Sequence, residues 1–110
     1  MKFLDNLSQI RNGDNIFIYG AGSFGITFKS QLKRKRPDIN VINFIDKNKQ
    51  GFIDQTEIKK INGINNNILD KKIIICTSAD YWDEIEDELN NFEILFNRYH
   101  DFNIYFRESN

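Results

Sequence analysis

The sequence predicts an α/β domain of three layers, with an open and mostly parallel sheet of about five strands and helices on both faces. Three observations carry that expectation. An apolar run, Ile16-Phe17-Ile18-Tyr19, opens directly into Gly20-Ala21-Gly22-Ser23-Phe24-Gly25, as a buried strand does when it passes into a helix through a tight turn. Two further short runs, Val41 to Ile45, interrupted only by Asn43, and Ile73 to Cys76, are mostly apolar, like strands covered on both faces. A segment with helical spacing separates the first two runs and another follows the third, and strands alternating with helices in this way pair in parallel through right-handed crossovers.

At the N-terminus, Phe3, Leu4, Leu7 and Ile10 recur at helical spacing and predict a short helix flanking the sheet, with Asn12-Gly13 as its stop. After the first strand and the glycines, Phe24, Phe28 and Leu32 recur every fourth residue and are expected to line the buried face of a helix. That helix runs to about Arg36, because Pro37 cannot continue it. Lys33-Arg34-Lys35-Arg36 then falls at the helix C-terminus, where cations complement the dipole and stay solvated, or offer a patch to a polyanion or lipid. Residues 47–70 are polar and rich in Asn and Lys, and their isoleucines follow no single period. Loops around one short strand or helix are expected there, with Asn65-Asn66-Asn67 as a turn.

Beyond them a strand is predicted from Lys72 through Cys76, then Thr77-Ser78-Ala79 and a helix from about Tyr81. Asp80 is its expected N-cap, Asp83 and Glu84 fall in its first turn, and Trp82, Ile85, Leu89 and Phe92 are spaced for burial. Ile94-Leu95-Phe96 predicts another short strand. Phe102, Ile104 and Phe106 alternate with Asn103 and Tyr105 in a last one, joined through Arg98-Tyr99-His100-Asp101.

Length and composition narrow the function. The 110 residues suffice for one domain with a single core, and are too few for a cofactor domain plus a separate catalytic domain. Forty per cent hydrophobic residues, with Phe at 10 and Pro at 1, indicate a packed globule. A formal net charge of −1 weighs against a broad nucleic-acid-binding face. The single cysteine, Cys76, sits in an apolar run where an inert buried thiol is expected, and it can form no disulfide within the chain. With no secretory signal pattern and no long apolar stretch, the expectation is a soluble cytoplasmic protein without membrane contact.

The glycine pattern carries the chemistry. Gly20 permits the tight turn, Gly22 lets a diphosphate approach the backbone, and Gly25 lets the helix pack close to the strand. The helix beyond them offers its first N–H groups and positive dipole end to an anion. The alternative is a glycine turn kept only for packing. Roughly 20 residues beyond Gly25 stands Asp46, where dinucleotide-binding folds place a carboxylate on the adenosine ribose hydroxyls. A carboxylate there favours NAD over NADP, whereas the adjacent Lys47 could tolerate a 2′-phosphate. Alternatively, Asp46 caps the turn Asp-Lys-Asn-Lys-Gln-Gly. In an open parallel sheet the ligand crevice lies beyond the C-terminal strand ends, where three segments converge: residues 20–25, 46–48 and 77–80.

In this order, Tyr-Gly-Ala-Gly-Ser-Phe-Gly, Phe-Ile-Asp-Lys-Asn-Lys-Gln-Gly and Ile-Ile-Ile-Cys-Thr-Ser resemble small Rossmann-like domains of the CoA-binding type. Similar modules form the NAD-binding part of redox-sensing repressors. They also stand at the N-termini of bacterial sugar-modifying enzymes, including sugar acyltransferases and methyltransferase-associated proteins of surface-polysaccharide loci. The resemblance spans about Asn15 to Asn97 and departs in the polar stretch 54–70. It implies phosphate contact by the backbone around Gly22 to Gly25, sugar contact by Asp46, and ligand lining by Thr77 and Ser78; the cofactor site is expected to comprise Gly20, Ala21, Gly22, Ser23, Phe24, Gly25, Asp46, Lys47, Thr77 and Ser78.

Catalytic groups are harder to find. His100 is the sole histidine, in a polar turn, and the tyrosines and lysines lack the spacing of short-chain dehydrogenases. One Cys and one His cannot build a zinc site without carboxylates. Tyr19 stands where methyltransferases generally place an acid. The reading is a module with no catalytic or metal-ligating residues of its own. It binds NAD, a nucleotide-sugar or another diphosphate nucleotide, and serves a sugar- or polysaccharide-modifying enzyme. The alternatives are a subunit or N-terminal fragment of an NAD-dependent oxidoreductase or sugar-modifying transferase, and a ligand-free interaction domain. The aromatic residues of 102–106 suggest a homodimer or a partner enzyme subunit covering that segment.

Overall fold

In the chain's computed structural model, residues 2–64 and 71–99 are described. Their strands are β1 (Lys2–Phe3), β2 (Asn15–Tyr19), β3 (Asn40–Ile45), β4 (Gly51–Ile53), β5 (Thr56–Lys59), β6 (Lys72–Ile75) and β7 (Phe96–Arg98). The helices are α1 (Ser23–Lys35) and α2 (Trp82–Asn91), with 3-10 turns at Leu7–Gln9, Ile61–Gly63 and Ala79–Tyr81. One sheet holds all seven strands in the order β1-β7-β6-β2-β3-β5-β4. Every pairing is parallel except β4 with β5.

The short apolar runs become central strands because both of their faces are covered. Along β2, Ile16 and Ile18 join a core with Phe28 and Leu32 of α1, while Phe17 and Tyr19 join a second core with Ile85 and Leu89 of α2. Strand β6 divides the same way, Ile74 toward the first core and Ile73 and Ile75 toward the second. The helices thus lie on opposite faces, as the alternation of elements predicts.

Several local expectations are corrected. The N-terminal segment is not a helix. The Asn6 side chain accepts the Ser8 N–H at 2.9 Å and the Gln9 side chain accepts the Asn6 N–H at 3.2 Å, so a capping box closes a single 3-10 turn. Leu4, Leu7 and Ile10 are buried although no α-helix forms there, while Phe3 is exposed. In α1 the buried stripe is Phe28, Gln31 and Leu32; Phe24, in the first turn, is 36% exposed. Asp80 does not cap α2. The Tyr81 N–H bonds Ser78 O at 3.2 Å, closing a 3-10 turn that takes Asp80 inside it, and α2 begins at Trp82. Phe92 is exposed because the helix stops before it. Glu93 takes a left-handed φ of 55°, and Ile94 returns its N–H to Leu89 O at 3.1 Å and fills the buried place.

The strand expected at residues 94–96 lies at Phe96–Arg98, with Leu95 81% exposed ahead of it. Arg98 is therefore a strand residue rather than part of a turn. The ring of Tyr99 packs on Phe28 with centroids 4.7 Å apart. Strand β6 ends at Ile75, one residue before the buried Cys76. Within 47–64 the chain forms two strands, a β4–β5 hairpin turning at Asp54 and Gln55, both at positive φ. Asn65-Asn66-Asn67, His100, Asp101 and the expected strand at 102–106 lie outside the described residues. Among the described residues no helix is long and apolar enough to cross a membrane.

Candidate functional site

Strands β2, β3 and β6 end side by side, and the loops that follow them enclose a cleft of about 440 Å³. This is where the chain leaves central strands toward helices on opposite faces, the position at which open α/β sheets leave a crevice. The loop after β2 is the glycine turn. Gly20 has φ 112°, and a Cβ there would lie 2.6 Å from Cys76 O, so this position requires glycine twice over. A Cβ on Gly25 would stand 1.8 Å from Gly20 O, which is how closely α1 approaches the end of β2. Gly22 differs. It is the N-cap of α1 with an ordinary φ of −93°, and a Cβ there would meet only Lys49 Nζ, at 3.8 Å. No side chain caps α1. The unpaired N–H groups that open any α-helix therefore have no side-chain partner at the N-cap.

The loop after β3 is organised by Asp46. Its Oδ1 accepts the N–H groups of Asn48 and Lys49, each at 2.9 Å, and its Oδ2 accepts the Ala21 N–H at 2.9 Å. Burial alone would raise the Asp46 pKa, but these three N–H groups, with Lys49 nearby, hold it below the usual carboxylate value. Asp46 thus caps its own turn, one of the two roles open to it from sequence, and also ties that turn to the glycine loop. Lys47 Nζ reaches across the cleft to Glu84 Oε1 of α2 at 2.6 Å. Lys49 Nζ lies over the glycine loop, 3.4 Å from Ala21 O.

The third wall follows β6. Thr77 Oγ1 donates to Ser78 O at 3.2 Å, and Thr77 O accepts the Trp82 indole N–H at 3.2 Å. Tyr19 donates its hydroxyl to Glu88 Oε1 at 2.6 Å. Burial first, then the bond to that carboxylate, pushes the Tyr19 pKa far above its ordinary value. The Cys76 thiol, wholly buried, is likewise raised well above its ordinary value.

Of the residues expected from sequence, Gly20, Gly22, Ser23, Phe24, Asp46, Lys47, Thr77 and Ser78 line this cleft together. Ala21 and Gly25 do not. The Ala21 side chain faces the core, its N–H donating to Asp46 and its carbonyl accepting from Lys49, while Gly25 packs against Gly20. Asn48, which the sequence also places at the crevice, lines it too, while sequence reasoning missed Lys49, Tyr81 and Glu84. The run Asp-Lys-Asn-Lys signals a turn but not which lysine folds back over the glycines. Among the described residues no group of three or more His, Cys, Asp and Glu could hold a metal ion.

No family model matches this chain, and no curated protein matches it. Its backbone is similar to the crystal structure of RSP, a Rex-family repressor, with TM-score 0.61 and 17% identity over 87% of this chain and 57% of that one. The fold is Rossmann-like. RSP in complex with β-NADH is similar as well, with TM-score 0.58 and 18% identity over 87% of this chain and 58% of that one. This chain spans somewhat over half the length of those two structures.

Proposed function

We propose that this Rossmann-like chain is a binding module for a nucleotide that carries a diphosphate, NAD(H) foremost, held in the cleft with its diphosphate over Gly22. One observation carries the reading. Gly22 has a backbone conformation any residue can adopt and open space where a side chain would go, in the N-cap position where Ser, Thr, Asp or Asn would stabilise the helix. Glycine is an acceptable N-cap, but neither φ nor packing demands it there, whereas a ligand lying on the backbone does. The neighbouring RSP structure with β-NADH supports the ligand class.

The cleft favours binding over catalysis. Asp46 is held ionised, while the Tyr19 phenol and the Cys76 thiol are held protonated, so none of these groups exchanges a proton readily near neutral pH. The service to a sugar- or polysaccharide-modifying enzyme and the homodimer remain part of the proposal and rest on the sequence. So does the expectation that nucleic acid is not a partner, which the net charge of −1 supports.

A thermal-shift panel of NADH, NAD⁺, NADPH, CoA and nucleotide-sugars tests the reading. A ligand at about 100 times its Kd stabilises the native state by about 2.7 kcal/mol. NADH is expected to give the larger shift and NADPH the smaller, because Lys47 is already paired with Glu84 and Asp46 lies beside it. No shift with any diphosphate nucleotide contradicts the proposal.

Asp46 uses three of about four acceptor positions on backbone N–H groups, leaving room for a ribose hydroxyl. Asp46→Ala is expected to weaken NADH binding about ten- to a hundredfold, the effect of losing a hydrogen bond to a charged group. Calorimetry giving equal affinities for variant and parent would leave Asp46 with its loop-tying role alone.

A further inference from the structure

The two lysines that follow Asp46 have different fates. Lys47 is neutralised by Glu84 at 2.6 Å. The Lys49 ammonium has no carboxylate within ion-pairing distance among the described residues, and its one hydrogen bond among them is a long contact of 3.4 Å with the Ala21 carbonyl. Its ammonium lies 3.8 Å from the point a Cβ on Gly22 would occupy, within the same cleft.

That placement is built into the backbone. Asp46 Oδ1 holds the Lys49 N–H while Oδ2 holds the Ala21 N–H, so one carboxylate fixes the lysine's main chain against the glycine loop. The turn begun at Asp46 brings this lysine, and not Lys47, back over the helix start. A helix N-terminus is equivalent to only about half a positive charge, too little to balance a diphosphate. An ammonium group has three donors, so Lys49 can keep Ala21 O and still donate to phosphate oxygens.

We propose that Lys49 is the cation that contacts the diphosphate of the bound nucleotide, above Gly22. The assignment rests on the nucleotide reading given above, and it makes affinity depend on the charge of the diphosphate as well as on the base and sugar.

The test titrates ADP-ribose by calorimetry into the parent chain and into Lys49→Met and Lys49→Arg, at low and at physiological salt. Lys49→Met is expected to lose about tenfold or more in affinity at low salt, with Lys49→Arg retaining most of it. Salt screens an exposed ion contact, so the affinity of Lys49→Met should depend less on salt than that of the parent. The Lys49 side chain is exposed, and the unliganded variants should melt with the parent. Unchanged affinity in Lys49→Met overturns the assignment. So does a loss with the parent's salt dependence, which would mean that Lys49 only orders the loop. If ADP-ribose binds the parent not at all, the nucleotide reading itself fails and this assignment falls with it.

Discussion

A Gly25→Ala variant is expected to lose a large fraction of its native stability under conditions where the parent chain is folded. The added Cβ would stand 1.8 Å from Gly20 O, 3.0 Å from Gly20 C and 3.3 Å from Ile18 Cγ2. The first of these is a collision with backbone, and Gly20 cannot retreat. Its N–H is bonded to Ile45 O at 2.8 Å, and it is itself packed against the Cys76 carbonyl. Relief therefore requires α1 to lift from the sheet, which uncovers Phe28 and Leu32. Ordinary overpacking costs about 1–3 kcal/mol, and a backbone collision lies at or above the top of that range. Against a total of about 5–15 kcal/mol for a domain, that is a large fraction. Denaturant unfolding measures it directly, and a parent-like midpoint would mean that α1 does not pack on β2 as closely as described.

How much of this was legible in sequence depends on the range of the interactions. The β2–glycine–α1 unit was, because apolar runs and glycines act locally. Asp46 was legible as a position, but not as the tie to Ala21, a partner 25 residues away in the chain. The proximity of Lys49 to Gly22 depends on how one short turn curls, which no periodicity encodes. At the N-terminus the spacing of Leu4, Leu7 and Ile10 reported burial correctly and helix wrongly, since a capped 3-10 turn buries the same side chains. The β4–β5 hairpin was hidden because its turn, Asp54-Gln55, takes two left-handed residues without a glycine. Phe52 in β4 is also 68% exposed, so the strand lacks the alternation that marks a covered face.

The largest functional effect is expected at Gly22. In Gly22→Val the new side chain would project into open space beside Lys49, touching nothing that holds the fold. Its φ of −93° is available to valine, and the position forms no side-chain cap that could be lost. Unfolding should therefore shift by well under the cost of Gly25→Ala. Binding should not survive, because the isopropyl group would occupy the space assigned to the diphosphate and push it off the helix N-terminus. On the proposed reading the two glycines separate fold from function, Gly25 serving the packing of α1 and Gly22 the approach of a ligand. The most direct measurement is a calorimetric titration of NADH into the parent chain and into Gly22→Val under identical conditions. Saturable heat with the parent and none with the folded variant is the expected result. Equal heats from both, or none from the parent, would contradict the placement of a diphosphate nucleotide in this cleft.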